Sequence, residues 1–202
     1  MIKRVFDIVA SLVALVVLTA LFLTVAILIR VGSPGPVFFR QKRVGFGFKP
    51  FWIHKFRTMV PGAATQGSIT WGGSRDPRIT SIGRVLRRTK VDELPQLLNV
   101  LKGEMSLVGP RPEVPEYVEM FRDDYREILK TRPGITDFAS LEFCDEAALL
   151  ARAAVPEDAY VNEILPEKIR LSRRYVQSAS FWVDLDVLGR TLLSIIRPGR
   201  RP

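Results

Sequence analysis

From Ile8 to Ile29 the chain reads IVASLVALVVLTALFLTVAILI, 22 residues without a charge. Coiled as a helix at about 1.5 Å per residue, this run measures about 33 Å, comparable to the hydrocarbon core of a bilayer. The apolar region of a signal peptide is shorter, about 7–15 residues, and ends at a small-residue cleavage site. Here the run continues into Arg30 and Ser33-Pro34-Gly35-Pro36 without one. Residues 1–31 therefore read as a membrane anchor and 32–202 as one domain resting on the membrane.

Both flanks of the anchor are basic: Lys3 and Arg4 precede it, and Arg30, Arg40, Lys42 and Arg43 follow. A straight span cannot keep two basic flanks in the cytoplasm, whereas a helix that enters and returns on one side can. Such a helix needs a break, ordinarily at Pro, and none lies between Ile2 and Ile29. Thr19 and Thr24 are the residues able to bend it, weakly, by bonding back to the preceding turn. Asp7 follows Lys3 by four and Arg4 by three, a spacing that pairs it with either at headgroup level.

Composition narrows the chemistry. Thirty Lys and Arg against 21 Asp and Glu give a net charge of +9, which points to an anionic partner such as phosphates, acidic lipid or nucleic acid. One cysteine, Cys144, excludes an internal disulfide framework, and one histidine, His54, argues against a Cys/His zinc site. Polar chemistry must rest on carboxylates, Arg and Lys.

After the anchor, Val37–Arg40 and Phe51–Phe56 read as short strands around a turn with two glycines, Gly45 and Gly47. Pro61–Ser74 reads as a loop of the kind that makes lids. Leu94, Leu97, Leu98 and Leu101 have helical spacing, stopped by Gly103. Tyr117, Phe121, Tyr125 and Ile128 mark one face of a second helix. Phe181, Leu185, Leu188, Leu192 and Ile196 mark a third, with Asp186, Arg190 and Ser194 opposite and Trp182 as a candidate interfacial anchor. The tail from Arg197 is basic and suits an acidic membrane surface. The expected fold is α-rich α+β: a membrane-inserted N-terminal helix, a small β-hairpin, and several short amphipathic helices at the interface.

The stretch from Arg75 to Glu113 carries the candidate chemistry. Asp92 and Glu93 are adjacent carboxylates at an expected helix start, with Pro95 in the first turn and Arg84, Arg87, Arg88 and Lys90 upstream. The helix dipole and these cations favour an ionised Asp92. The plainer reading is an N-cap followed by a first-turn charge. Pro110-Arg111-Pro112 fixes the backbone on both sides of one guanidinium, which suits a phosphate or nucleotide; the plainer reading is a stiffened loop. Arg132-Pro133-Gly134 and Lys55-Phe56-Arg57 are further basic points.

These segments resemble the bacterial sugar transferases, the monotopic phosphoglycosyl transferases. The resemblance runs through Lys3-Arg4-x-Phe6-Asp7, Ser33–Gln41, Lys55-Phe56-Arg57-Thr58-Met59, Asp76–Thr80 with Gly83-Arg84, Asp92–Leu97 and Asn99–Leu101, Gly103–Glu113, and Arg132–Thr136. It covers nearly the whole chain in order, at the length of the minimal single-domain members. It implies transfer of a sugar 1-phosphate from a UDP-sugar to polyprenol phosphate, with release of UMP, at the cytoplasmic face of the bacterial inner membrane. It also implies Asp92 as a nucleophile that carries the phosphosugar, Glu93 beside it near Mg²⁺, and Arg111 between Pro110 and Pro112 on the nucleotide. Lys55, Arg57, Arg88 and Arg132 are the further phosphate-binding candidates, and a homodimer remains open.

Two segments depart from the family. Members carry Ser-Pro in mid-helix, where this chain has Thr19-Ala20. Many read Gly-Trp-Ala-Gln where this chain has Asp137-Phe138-Ala139-Ser140, a place expected to bear on the sugar accepted. Two other classes stay beside the enzyme: a membrane scaffold for glycan assembly and a membrane-attached nucleic-acid binder. A nucleic-acid binder fits the charge but not the acidic pair at the centre of the Arg cluster, so no nucleic-acid partner is expected.

Overall fold

A computed structural model describes residues 2–63, 76–143 and 146–196. The expected loop at Pro61–Ser74 lies outside these residues beyond Ala63, and Cys144 and the basic tail lie outside them altogether.

The apolar run forms two helices, α1 (Ile2–Val17) and α2 (Thr19–Gly32), bent by 61° at Leu18. No single helix among the described residues is long and apolar enough to cross a membrane. The bend forms without proline. Leu18 has φ −88° and ψ 6°, and the Thr19 hydroxyl donates to the Leu15 carbonyl at 2.9 Å, the acceptor that the Thr19 amide would use in a continuous helix. Thr24 bonds back to Ala20 at 2.9 Å in the same way.

Helix α1 is inverted relative to a helix of a soluble protein. Its buried residues are Asp7 and Ser11, while Val5, Val9, Leu12, Val13, Val16 and Val17 are exposed. Asp7, 3% exposed, does not pair with Lys3 or Arg4 as its spacing predicts. It accepts from the Ser106 hydroxyl at 2.8 Å and the Leu107 amide at 3.3 Å. Lys3 instead pairs with Asp184, and Arg4 donates to the Val100 and Leu101 carbonyls. Tertiary partners that lack a counter-charge or a donor outcompete the local pair.

The hairpin is present as β1 (Phe38–Val44) and β2 (Pro50–Phe56), antiparallel with Phe38 opposite Phe56 and Val44 opposite Pro50. Helix α2 packs on it through Val25 and Ile29, against Phe56 and Leu86 of α3 (Ser81–Thr89). Next come the 3₁₀ segment Val91–Gln96, α4 (Leu97–Lys102) and β3 (Ser106–Val108). Strand β3 pairs in parallel with β4 (Gly134–Thr136), a second sheet that the sequence did not signal. Beside it Gly109 and Gly134 bring two backbones together: a Cβ on Gly134 would sit 2.1 Å from the Gly109 nitrogen.

The Tyr117–Ile128 face is divided between α5 (Pro115–Met120) and α6 (Arg122–Ile128), which break at Phe121. Tyr117, Tyr125 and Ile128 are buried as expected, with Ile164, Leu165 and Ile169. Then follow α7 (Phe138–Glu142), α8 (Glu146–Leu150), α9 (Pro156–Ala159), a π-helical turn Tyr160–Ile164, α10 (Leu165–Ser178) and α11 (Phe181–Ile196). On α11 the inward side carries Asp184 and Val187, with Val183 and Leu188 packed beside them; of the expected row Phe181, Leu185 and Leu188 are half-buried and Leu192 is exposed, as are Leu193, Ile195 and Trp182. Asp184 turns that side inward because it pairs with Lys3 and accepts from the Tyr175 hydroxyl at 2.6 Å.

Replacing Asp7 by Ala strands the Ser106 hydroxyl and the Leu107 amide. Unfolding of purified protein in detergent should show a loss of about 1–3 kcal/mol.

Candidate active site

Helix α3 starts at Thr80, whose hydroxyl accepts from the Gly83 amide at 3.0 Å. It ends at Lys90, a non-glycine residue in the left-handed region at φ 58° and ψ 13°. The chain turns there into Val91–Gln96. Pro95 has no N–H to donate and its ring would strike the residue 91 carbonyl in an α-turn, so this segment stays 3₁₀ and the α-form begins at Leu97. Asp92 is therefore not the N-cap of an α-helix. In a 3₁₀ turn successive side chains diverge by about 120°, and the two carboxylates meet different surroundings.

Glu93 is clamped. Lys55, on β2, donates to its Oε1 at 2.8 Å. Arg111 engages both oxygens, through Nη1 on Oε2 at 3.1 Å and through Nη2 on Oε1. Burial alone would push Glu93 up, but Arg111 and Lys55 outweigh it and hold the carboxyl well below the usual glutamate range. Burial pushes Lys55 down against the pull of Glu93, and the Glu93 charge keeps the Arg111 guanidinium firmly protonated.

Asp92 is 7% exposed and its Oδ1 is buried with no hydrogen-bond partner. Burial, then the Glu93 charge, pushes its pKa up, opposed by Lys55, Arg87 and Lys90. Dipole and cations favour the ionised form as expected, but desolvation makes this carboxyl harder to ionise than a free aspartate. The site thus holds one committed carboxylate, one uncommitted carboxylate oxygen and a surplus of cations. Such an arrangement can receive an anionic group and present an oxygen to it.

Arg111 is held through its backbone. Of Pro110-Arg111-Pro112 only Arg111 has an N–H, and it donates to Asp137 Oδ2 at 3.1 Å. Asp137, fully buried, also caps α7 by accepting from the Ser140 amide and hydroxyl at 2.7 Å each. On the other side Asn99 ties α4 to β2, accepting from the His54 amide at 3.1 Å and donating to the Trp52 carbonyl at 2.7 Å.

The structure brings together Asp92, Glu93, Lys55, Arg111 and its prolines. The other candidates lie elsewhere. Arg57 is buried at the end of α2, where it donates to the Pro34 carbonyl at 2.5 Å and to the Ser33 carbonyl and hydroxyl at 2.8 and 2.9 Å. Arg132 donates to the Gly103 carbonyl at 3.0 Å and lies over Phe46, and Arg88 is exposed on α3. Its neighbour Arg87 takes the inner place, with Nε on the Thr58 hydroxyl at 2.9 Å. The signal for Arg87 was in the spacing: it shares a helix face with buried Gly83 and Leu86, which Arg88 does not. Asp137 had no comparable signal.

For a hard divalent cation the available donors are Asp92 Oδ1, which has no hydrogen bond, and Glu93 Oε2, which accepts one, from Arg111. No three Asp, Glu, His or Cys side chains converge among the described residues. One or two carboxylates are the usual protein share of a Mg²⁺ shell completed by substrate phosphates and water, so the donor set fits that ion.

Glu93→Gln should lower stability by about 1–3 kcal/mol, because two half-buried cations lose their counter-charge. Asp92→Asn should do the reverse. A carboxyl raised on folding gives stability that is full at low pH and lost as pH rises through the shifted value. Asn escapes that loss, so its melting temperature at neutral pH should equal or exceed wild type.

A family model described as bacterial sugar transferase matches residues 1–198. The chain is 38% identical over 200 residues to a UDP-N-acetylgalactosamine-undecaprenyl-phosphate N-acetylgalactosaminephosphotransferase of Aeromonas hydrophila, covering 96% of this chain and 44% of that protein. It is 36% identical over 198 residues to a UDP-glucose:undecaprenyl-phosphate glucose-1-phosphate transferase of Caulobacter vibrioides, covering 96% and 69%. It is 38% identical over 207 residues to the exopolysaccharide production protein PSS of Rhizobium leguminosarum bv. phaseoli, covering 98% and 96%. The chain thus spans less than half of the Aeromonas relative and nearly all of the Rhizobium one.

Proposed function

The chain belongs to the bacterial sugar transferase family, and from that premise we propose that it transfers a sugar 1-phosphate from a UDP-sugar to polyprenol phosphate, releasing UMP. The acceptor class follows the names of its relatives, two of which act on undecaprenyl phosphate. The observation that carries the mechanism is the unpartnered Asp92 Oδ1 beside a Glu93 clamped by two cations.

Asp92, ionised, attacks the β-phosphorus of the donor; a P–O bond forms to its carboxylate as the bond to UMP breaks. A phosphate oxygen of the polyprenol phosphate then attacks the same phosphorus, and Asp92 leaves with its electron pair restored. Arg111, Arg87, Lys90 and Lys55 offset charge on the phosphoryl oxygens. Glu93 keeps Lys55 and Arg111 in place and charged. Asp92 and Glu93 would hold Mg²⁺, which supplies further neutralisation of phosphate charge.

The anchor of residues 1–31 is proposed to re-enter the cytoplasmic leaflet, with residues 32–202 as the catalytic domain on that face. The 61° bend and the outward apolar face of α1 with its polar inner face support this. With Cys144 replaced by Ser, an Ile2→Cys variant in intact cells should resist a membrane-impermeant thiol reagent; labelling would mean a span.

Asp92→Asn should abolish UMP release while the protein still melts cooperatively; turnover at the wild-type rate would remove Asp92 from the reaction. The raised Asp92 pKa sets a second expectation. The acid limb of kcat/KM should inflect above 3.8, the ordinary aspartate value, because the nucleophile must lose its proton.

A further inference from the structure

The segment that carries Asp92 holds a second polar side chain without a partner. Gln96 is 1% exposed, and neither its Oε1 nor its Nε2 has a hydrogen bond. A buried carboxamide in that state has given up its hydration for nothing in the protein. The mechanism above does not use it, and it ties no element together: Asn99 already joins α4 to β2.

Its place gives the reason. Asp92, Pro95 and Gln96 are the buried residues of Val91–Gln96, which packs on the strand that carries Lys55; at three residues per turn Gln96 follows Glu93 by one turn and shares its side, while Asp92 and Gln96 are the two orphaned groups of the segment. Four residues at about 1.5–2 Å each set them roughly 6–8 Å apart along the axis, a span that a diphosphate with its two substituents covers. An amide nitrogen supplies two neutral donors, which suit a phosphoryl oxygen without adding charge to a cluster already rich in cations.

We infer that Gln96 is a binding residue of the site, its Nε2 donating to a non-bridging oxygen of the donor's diphosphate. This rests on the transfer reaction proposed above. It explains a polar residue where no described residue satisfies it: the partner arrives with the substrate.

Gln96→Met tests it, since Met has similar length and no amide. The melting temperature should match or exceed wild type, because two orphaned atoms are gone. The melting-temperature rise on adding uridine diphosphate should shrink. With UDP-N-acetylgalactosamine or UDP-glucose and undecaprenyl phosphate in detergent, kcat/KM should fall roughly ten- to a hundredfold, the worth of one hydrogen bond to a charged group. Gln96→Glu, of the same shape but repelling phosphate, should lose as much. A Met variant that melts below wild type shows a structural amide and overturns the inference, whatever its activity. Nucleotide shift and kcat/KM within threefold of wild type in either variant overturn it too, as does a wild type that uridine diphosphate does not stabilise. Wild-type turnover separates the two failures. No UMP release from wild type with either donor counts against the reaction, while the thermal shifts still judge Gln96.

Discussion

The Glu93 carboxylate, gripped by Lys55 on one side and Arg111 on the other, is the contact on which the site depends. Three segments far apart in sequence meet on it: strand β2, the 3₁₀ turn and the Pro-Arg-Pro loop. Each of the three charges would be costly to bury alone. Together, with Glu93 holding both cations, they leave one positive charge over, and the neighbouring Asp92 Oδ1 stays without a hydrogen bond. In the proposed reaction Asp92 is the nucleophile because Glu93 is occupied. Pro95 enforces the division by keeping the turn 3₁₀, and Asp137 fixes the arginine from behind through the one amide that the two prolines leave.

Helix α1 is fastened to the same region by polar contacts, the reverse of ordinary helix packing, while α2 packs on the hairpin through Val25 and Ile29. Asp7 reaches the start of β3, Arg4 covers the last carbonyls of α4, and Arg57 covers those at the end of α2. Helix ends leave such carbonyls unpaired, and an arginine fork satisfies two at once. With Lys3, Arg4 and Asp7 spent on the protein, α1 turns its apolar face outward. In the proposed setting that face meets acyl chains, and a soluble donor and a lipid-linked acceptor share one site at the boundary.

Much of this was legible in residues 1–202. The charge-free run, the hairpin, the tyrosine face of α5 and α6, and the Asp-Glu pair all follow from local pattern. Illegible features depend on partners far along the chain. Asp7 has basic neighbours at ideal helical spacing, yet bonds to residues about a hundred positions away. Arg57 sits in a basic motif, yet serves a helix end. Proline is the ordinary source of such a break, yet the bend forms at Leu18 without one, beside the Thr19 hydroxyl on the Leu15 carbonyl. The unequal roles of Asp92 and Glu93 could not be read from adjacency, because Lys55 lies 38 positions before Glu93 and Arg111 lies 18 after it.

The central claim is that one carboxylate oxygen becomes, for half the cycle, the carrier of a phosphorylated sugar. Intact-protein and peptide mass spectrometry after rapid acid quench, with a UDP-sugar present and no polyprenol phosphate, tests it directly. The account predicts a mass increase equal to one sugar phosphate on the peptide that contains Asp92, discharged on adding acceptor. UMP release from donor and acceptor with no such adduct at any quench time, or an adduct on another peptide, would contradict it.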